Sequence, residues 1–249
     1  MRLIFSKLSM FVLLIVVLTG LVLAVNPVLI ADDDCEDTVG WTDNGNLGTD
    51  GTYKQEGSYS LKITDDDSSG MFYGYLPFTT SVNNRGILNY SFYFFIESAA
   101  SVNSDDQYWM LENDTGYANG IAGVKIDCDG TYWTLRCKNG SGYYQYGHVD
   151  EFSWRKINIV ADFREGMYDV YQNGNLICDD MVINGGLPDR FMLSGVSTTS
   201  IGNDYVDNIY AEFNEGFYIT AVDNFSGETI YNLTALIDGD YYYTQDGRS

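Results

Sequence analysis

The sequence predicts an all-β protein folded as a sandwich of two antiparallel sheets, and three observations support this. Apolar residues recur at every second position in several segments, for example at Ile157, Ile159 and Ala161, which is the period of a half-buried strand. Turns rich in Gly, Asn and Asp separate these segments at short intervals, as in sandwiches. No segment after the first 31 residues shows the period of an amphipathic helix.

A tight hairpin is predicted around Asn173-Gly174, which lies between two short apolar runs. Asn-Gly supplies the two positive-φ positions of a type I′ turn. This turn predicts that Tyr171 pairs with Leu176 and that Val170 pairs with Ile177.

Strands are also predicted near residues 58–63, 71–78, 88–97, 107–111 and 121–128. In the third of these the more apolar face carries Leu88, Tyr90, Phe92, Phe94 and Ile96. The period of two then turns Asn89, Ser91, Tyr93, Phe95 and Glu97 away from the core.

Four motifs in a fixed order carry a family resemblance. They are the acidic segment ending in Gly-Trp at 31–41, EGSYSLKI at 56–63, the Trp-led strand with its Tyr-Asp-Val-Tyr-Gln-Asn-Gly hairpin at 154–174, and Tyr-Val-Asp-Asn-Ile at 205–209. Together they resemble concanavalin A-like lectin/glucanase jelly rolls of the laminin-G or carbohydrate-binding-module kind. The resemblance covers roughly residues 32–213 and implies a jelly-roll sandwich whose first and last strands lie close together.

The first 31 residues are predicted to direct export. Arg2 and Lys7 precede an apolar run from residue 8 to 25, and Ala24 or Ala31 offers a small residue for cleavage. A cleaved signal peptide fits this pattern, and the Asn26-Pro27 break favours it. The alternative is an uncleaved anchor, because the run reaches the lower length limit for spanning a bilayer. Either way, the remainder is predicted to be secreted or at the cell surface.

Residues 214–249 form a third predicted region. They contain three short strand patterns separated by Ser-Gly-Glu and Asp238-Gly239 turns, and they resemble the opening of immunoglobulin-like or carboxypeptidase-regulatory-like β-modules. Three strands cannot bury two faces, so this region is interpreted as the start of a truncated second module. The chain is accordingly interpreted as an N-terminal fragment of a longer surface protein.

Charge and composition exclude nucleic acid as an expected partner. Lys and Arg total 13 against 35 Asp and Glu, a net charge of −22, and the sequence shows no basic patch of the kind that phosphate backbones require. The family resemblance implies a glycan or glycoprotein as the partner, and membrane contact is expected only through an uncleaved anchor.

The four cysteines, Cys35, Cys128, Cys137 and Cys178, lack the close spacing of a zinc site. In an oxidising compartment two disulfides are the natural expectation, and three pairings are open. A turn at Asp129-Gly130 would place Cys137 too far along the partner strand to reach Cys128. The alternative is that some of the four are buried thiols.

Five glycosylation sequons occur, at Asn89, Asn113, Asn139, Asn224 and Asn232. An exported chain can carry glycans at such positions, although Asn-rich loops also produce sequons by chance.

Catalysis is not expected. The Glu-x-Asp-x-Glu pattern of the glucanases is absent, and the single histidine, His148, stands in no serine or cysteine constellation. The predicted function is a non-catalytic extracellular carbohydrate-binding domain of a larger protein. The alternatives are a protein-binding adhesion or spacer domain of a cell-surface or virion protein and, less favoured, a glycoside hydrolase.

A structural calcium ion is predicted at Asp207. Strict alternation puts this carboxylate on the same face as Tyr205 and Ile209, where an ionised group is costly without a partner, and calcium prefers such oxygen ligands. The family resemblance implies Glu36 and Asp207 as the ligands. The alternative is that Asp207 caps a turn or binds backbone N–H groups.

The predicted sugar platform consists of Tyr93 and Phe95, two residues apart and about 7 Å along one strand. Tyr108 joins it if Trp109 faces the core, and Glu97 would hydrogen-bond sugar hydroxyls. The alternative is that a loop or a second module covers these rings, which would then belong to the core.

Overall fold

The computed structural model describes residues 27–65, 71–97, 106–113, 120–128, 131–196, 202–215, 234–237 and 240–243. All regular structure in these ranges is β-strand. Within them, no helix is long and apolar enough to cross a membrane. The first 26 of the 31 residues predicted as a leader lie outside the described residues, as do the sequons at Asn224 and Asn232.

One sheet, called sheet A, has eight strands in the order β13-β12-β11-β6-β15-β4-β3, with β1 also paired to β15. Its strands are β1 (Val28–Asp33), β3 (Leu47–Asp50), β4 (Ser60–Asp65), β6 (Gly86–Ile96), β11 (Arg155–Asp162), β12 (Met167–Gln172), β13 (Asn175–Val182) and β15 (Gly202–Glu215).

The second sheet, sheet B, has seven strands in the order β10-β9-β8-β7-β14-β5-β2. They are β2 (Thr42–Asp43), β5 (Met71–Pro77), β7 (Asp106–Glu112), β8 (Ala122–Cys128), β9 (Trp133–Asn139), β10 (Gly142–Val149) and β14 (Arg190–Val196). Every strand pair in both sheets is antiparallel. The predicted all-β jelly-roll sandwich is confirmed.

The core lies between the two sheets, where alternate residues of each strand meet. All five residues predicted for the apolar face of β6 belong to it, as do Trp109 and Leu111 of β7. The period of two therefore predicted the inward face of both strands, because each has one face packed on the opposite sheet.

The hairpin between β12 and β13 forms as predicted at its turn. Asn173 and Gly174 both have positive φ, 50° and 81°, and Tyr171 lies opposite Leu176. The next predicted pair is wrong, because a register shift places Val170 opposite Cys178 rather than Ile177. An extra residue in one strand is a β-bulge, which alternation alone does not reveal.

The first and last strands of the sandwich are adjacent, since β1 pairs with β15. The predicted domain boundary at residue 32 falls within β1, whose Ile30 is fully buried. The compact unit accordingly extends from Pro27 to Gly216.

A disulfide joins the sheets at one edge. Cys137 of β9 and Cys178 of β13 are bonded, with Cα atoms 6.6 Å apart. Cys35 and Cys128 are thiols, so the expected second disulfide is not formed. The exclusion of a Cys128–Cys137 bond is confirmed, because Cys137 lies opposite Val124 in the β8–β9 ladder.

The predicted C-terminal module is described only in part, by two strands that form an antiparallel hairpin. They are β16 (Thr234–Ile237) and β17 (Asp240–Tyr243).

Candidate functional site

Phe95 turns away from the core of the sandwich, as predicted, but it does not offer a free ring. Tyr53 stacks on it with ring centroids 4.7 Å apart, and Trp154 and Tyr205 pack at 5.4 and 5.8 Å. The Phe95 side chain is only 5% exposed. The prediction that Phe95 stacks on a sugar is therefore wrong, because a loop covers it and makes it part of a second, smaller aromatic cluster.

The remaining members of the predicted platform are separated from one another. Tyr93 is half-buried on the outer face of sheet A, with the Lys156 Nζ 5.4 Å from its ring centroid. Tyr108 faces outward as expected, but it belongs to sheet B. A single platform of Tyr93, Phe95 and Tyr108 is therefore wrong, since the two sheets present opposite outer faces.

Glu97 serves the aromatic cluster rather than an open surface. Its Oε2 accepts hydrogen bonds from the Asn203 side chain at 2.7 Å and from the Tyr205 hydroxyl at 2.8 Å. Burial and the Glu97 carboxylate both raise the pKa of Tyr205 above its usual range. In the structure this oxygen of Glu97 binds Asn203 and Tyr205, and the role of Glu97 as a sugar ligand stays a prediction.

Asp207 is fully buried, but for a different reason from the one predicted. A register shift in β15 follows Asp207, and Asn208 takes a positive φ of 51°. Val206 and Ile209 therefore face the core, whereas Tyr205 and Asp207 face outward beneath the loop at residues 51–59. The predicted shared face of Asp207 with Ile209 is wrong because the bulge changes the phase.

Two carboxylates hold this loop by its backbone. Asp207 Oδ2 accepts N–H groups of Gln55 at 2.8 Å and Glu56 at 3.1 Å. Glu36 Oε1 accepts the Ser58 N–H at 2.6 Å. Burial raises the pKa of Asp207, its backbone hydrogen bonds oppose the rise, and the Glu36 charge adds to it. The alternative role predicted for Asp207, binding backbone N–H groups, is present in the structure.

Exposed aromatic rings occur on β10, which contacts β13 at one edge of the sandwich. Tyr144 and Tyr146 of β10 are 51% and 47% exposed. Tyr132, which precedes β9, is also exposed, and its ring packs against His148 of β10 with ring centroids 4.4 Å apart.

A cleft of about 340 Å³ opens at this edge; its lining residues are Tyr144, Leu176, Ile177, Cys178, Asp179 and Met181. It combines an exposed aromatic ring, aliphatic side chains and one exposed carboxylate. Binding sites for small ligands combine apolar surface with a few polar groups that fix orientation, and this cleft contains both kinds of group. We call it the edge cleft.

An acidic cluster adjoins the edge cleft. The carboxylates of Asp169, Asp179 and Asp180 offer oxygen atoms within 4.8 Å of one another, and Asp179 and Asp180 are exposed. Asp169 Oδ1 accepts the Asp180 N–H at 3.0 Å. The cluster makes the rim of the cleft negative.

The outer face of sheet B carries a row of polar side chains across four adjacent strands. Tyr108 lies opposite Lys125, Lys125 opposite Arg136, and Arg136 opposite Gln145. Lys125 is 2.8 Å from Asp106, and Arg136 is 2.8 Å from Asp127. We call these four residues, Tyr108, Lys125, Arg136 and Gln145, the basic row.

The described sequons differ in exposure. Asn89 is half-buried on the outer face of sheet A, where its side-chain amide donates to Glu212 at 3.2 Å. Asn113 and Asn139 are exposed, and Asn139 Oδ1 accepts the Val182 N–H at 3.1 Å. The predicted outward orientation of Asn89 is confirmed.

Comparison with known proteins identifies the fold only. No family model matches the sequence, and no curated protein sequence matches it. Among solved structures, a sialidase is similar with a TM-score of 0.57 and 12% identity over 75% of this chain and 18% of the sialidase. The chain thus corresponds to a small part of that protein.

Two further structures are similar over most of their own length. A cellulose-induced protein, Cip1, has a TM-score of 0.51 at 14% identity, with 73% of this chain and 96% of Cip1 covered. A conserved carbohydrate esterase from a Shiga toxin-encoding bacteriophage has a TM-score of 0.53 at 14% identity, with 70% and 90% covered. These similarities agree with the jelly-roll sandwich.

Neither the edge cleft nor the basic row was predicted from the sequence. The cleft joins Tyr144 to Leu176, which belong to different sheets, so no local pattern links them. The predicted Asp129-Gly130 turn would have placed Thr134 opposite Lys125, whereas the observed ladder pairs Lys125 with Arg136 and Cys128 with Trp133. The predicted register is therefore wrong by two residues, and it could not have revealed the row.

Proposed function

We propose that the sandwich is a non-catalytic carbohydrate-binding domain of a larger secreted or cell-surface protein. The observation that carries this proposal is the half-exposed ring of Tyr144 at the mouth of the edge cleft. An exposed ring beside a cleft can take part in ligand binding, whereas a single exposed ring elsewhere needs no such role. Sugar rings present a C–H face that stacks on such a ring.

The rest of the edge cleft complements a sugar. Leu176 and Met181 provide apolar contact, and the exposed Asp179 carboxylate can accept hydrogen bonds from hydroxyl groups. The negative rim favours neutral sugars in this cleft, because an acidic sugar would be repelled.

Two further observations support the proposal without deciding it. The similar solved structures include a carbohydrate esterase and a sialidase, although one fold serves many functions. The Cys137–Cys178 disulfide suits an oxidising compartment, as the predicted export segment requires.

A glycan-array screen with the full chain tests this function. Binding of a neutral glycan that falls at least tenfold in Tyr144→Ala supports it, because one stacked aromatic contributes about 1 kcal/mol or more beyond its buried area. Tyr210→Ala is the matched control, since Tyr210 is 40% exposed on the outer face of sheet A and should leave binding unchanged.

Other outcomes of the same screen select the alternatives. Silence across the array, with a protein ligand recovered instead, would favour an adhesion or spacer domain. Release of products from a polysaccharide would show hydrolysis and contradict the non-catalytic assignment.

We also propose that Glu36 and Asp207 hold a structural calcium ion. Asp207 Oδ1 is buried and accepts no hydrogen bond among the described residues, and the Glu36 charge is close enough to raise the pKa of Asp207. A buried carboxylate beside a second acid is costly. A hard divalent cation would satisfy the free oxygen and neutralise both groups.

A further inference from the structure

Basic residues are scarce in this chain, and three of them lie close together on one face. The whole sequence has 13 Lys and Arg against 35 Asp and Glu. On the outer face of sheet B, strands β8 and β9 bring Lys125, Arg136 and Lys138 together. Three acids of β7 and β8, Asp106, Glu112 and Asp127, balance these three positive charges. This face is therefore locally neutral in a strongly acidic protein.

Two tyrosine rings lean toward each other over this face. Tyr108 and Tyr143 come from strands separated by β8 and β9, about 14 Å apart at the usual strand spacing, yet their ring centroids are 6.5 Å apart. Lys125 Nζ lies 5.4 Å from the Tyr108 ring centroid and 5.6 Å from that of Tyr143. Lys138 Nζ lies 4.9 Å from the Tyr143 ring centroid and is 2% exposed.

A glycine of β8, Gly123, lies on this face next to Met110. Gly123 precedes Val124 of β8 and lies opposite Met110, between β7 and β9. A Cβ at this position would meet the Trp109 carbonyl oxygen at 2.3 Å, so no larger residue fits. The Met110 side chain lies beside this glycine, with its sulfur 2.9 Å from that Cβ position.

Donors for an anion surround the rings. Burial, followed by the charges of Asp106 and Glu112, raises the pKa of Tyr143 to about 12, so its hydroxyl stays protonated and can donate at neutral pH. Ser194 lies opposite Tyr108, is 2% exposed, and its hydroxyl has no hydrogen-bond partner in the described ranges. A buried hydroxyl without a protein partner can be satisfied by an ordered water or by a bound group.

Both cations of the basic row are held in position by carboxylates, and their side chains are partly exposed, 14% for Lys125 and 36% for Arg136. Asp106 orients Lys125, and Asp127 orients Arg136. A lysine has three donors and an arginine five, so these single contacts leave donors for a ligand. An ammonium or guanidinium group that one carboxylate already holds in position can donate hydrogen bonds to a second carboxylate, from a bound molecule. It loses little side-chain entropy in doing so.

We propose that the basic row of sheet B binds the carboxylate groups of an acidic sugar chain, of the uronic-acid type. This inference rests on the proposed carbohydrate-binding function but uses a different surface from the edge cleft. Arg136 takes the carboxylate, Lys125 and the Tyr143 hydroxyl bind its neighbouring oxygens, and Gln145 at the exposed end binds ring hydroxyls. Binding weakens as salt concentration rises, because exposed ion pairs are screened.

Calorimetry on the full chain tests the inference with three probes: an oligogalacturonate, a sulfated heparin oligosaccharide and a neutral cello-oligosaccharide. Arg136→Met keeps the apolar stem and removes the charge, so uronate affinity should fall about tenfold or more. Asp127→Asn removes a competing anion from Arg136, so uronate affinity should rise a few-fold. A purely structural ion pair would give no such rise.

Lys62→Met is the matched control, because Lys62 also pairs with an aspartate, Asp50, at 3.8 Å, but on sheet A. Its uronate affinity should equal that of the unmodified chain, and thermal melting should verify that every variant is folded. Unchanged affinity in Arg136→Met, preference for the sulfated probe, or absence of uronate binding would each overturn the inference. Binding of the neutral probe that depends on Tyr144 but not Arg136 would preserve the proposed function while rejecting this site.

Discussion

At the scale of single residues, Asp207 shows how one irregular position changes a site. Strict alternation predicts that it shares a face with Ile209. In the structure β15 has one extra residue between Asp207 and Tyr210, and Asn208 has a positive φ there. Asn is among the few residues that tolerate this conformation. Because of the bulge, Asp207 turns outward and binds the loop that covers Phe95.

The calcium proposal predicts a stability that depends on the ion. A chelator should lower the melting temperature of the unmodified chain, because a ligand at 100 times its Kd stabilises by about 2.7 kcal/mol. Melting curves recorded by circular dichroism in calcium-free buffer, with and without added calcium, measure the effect. In a domain of this size each 1 kcal/mol corresponds to roughly 2–4 °C.

Two variants make the calcium test specific. Asp207→Asn should melt at the same temperature with and without calcium, whereas Asp179→Asn, in the exposed acidic cluster, should keep the response. A calcium response lost in Asp179→Asn and kept in Asp207→Asn would place the ion at the edge cleft instead. If chelator leaves the melting temperature of the unmodified chain unchanged, the proposed calcium site does not exist.

At the scale of elements, the β12–β13 hairpin depends on its turn. Gly174 has a φ of 81°, and a Cβ there would meet nothing within 4 Å. Gly174→Ala should therefore destabilise through backbone strain alone, by about 1 kcal/mol.

Gly48→Ala is the control for this hairpin. Gly48 also lies in open space, but its φ is not in the left-handed region. Urea unfolding of both variants measures the difference in the free energy of unfolding. Equal losses in the two variants would mean that the turn conformation does not limit stability.

The sequence predicted the elements of the sandwich far better than its sites. Alternation placed Phe92 inward and Asn89 outward because β6 lies between a core and an outer face. The same alternation could not show that Tyr53 would cover Phe95, since that contact joins residues far apart in the chain. Exposure depends on such tertiary contacts, and a binding platform depends on exposure.

At the scale of the whole molecule, the two sheets create surfaces that neither has alone. The edge cleft exists because β10 ends sheet B beside β13, which ends sheet A. The basic row, in contrast, lies within sheet B and follows its strand register. The order of the strands in each sheet therefore determines both candidate surfaces, and this order was not predicted from the sequence.

The Cys137–Cys178 disulfide connects this architecture to the proposed function. It closes a loop with a sequence separation of 41 residues, and a loop of that length stabilises by about 4 kcal/mol in the chain-entropy account. Replacing both cysteines with alanine should lower the free energy of unfolding by about that amount, as measured by urea unfolding. Adding reductant to the unmodified chain should have a similar effect.

The same change should weaken sugar binding at the edge cleft. Tyr144 lies opposite Cys137, and Cys178 lines the cleft, so the bond fixes the distance between its two walls. Below the melting temperature, reductant should reduce neutral-glycan affinity in the unmodified chain and have no further effect in the double-alanine variant. Uronate binding at the basic row, which needs only sheet B, should persist. If reduction leaves the neutral-glycan affinity intact, the sugar does not bind between these walls, and Tyr144 contacts it outside the cleft.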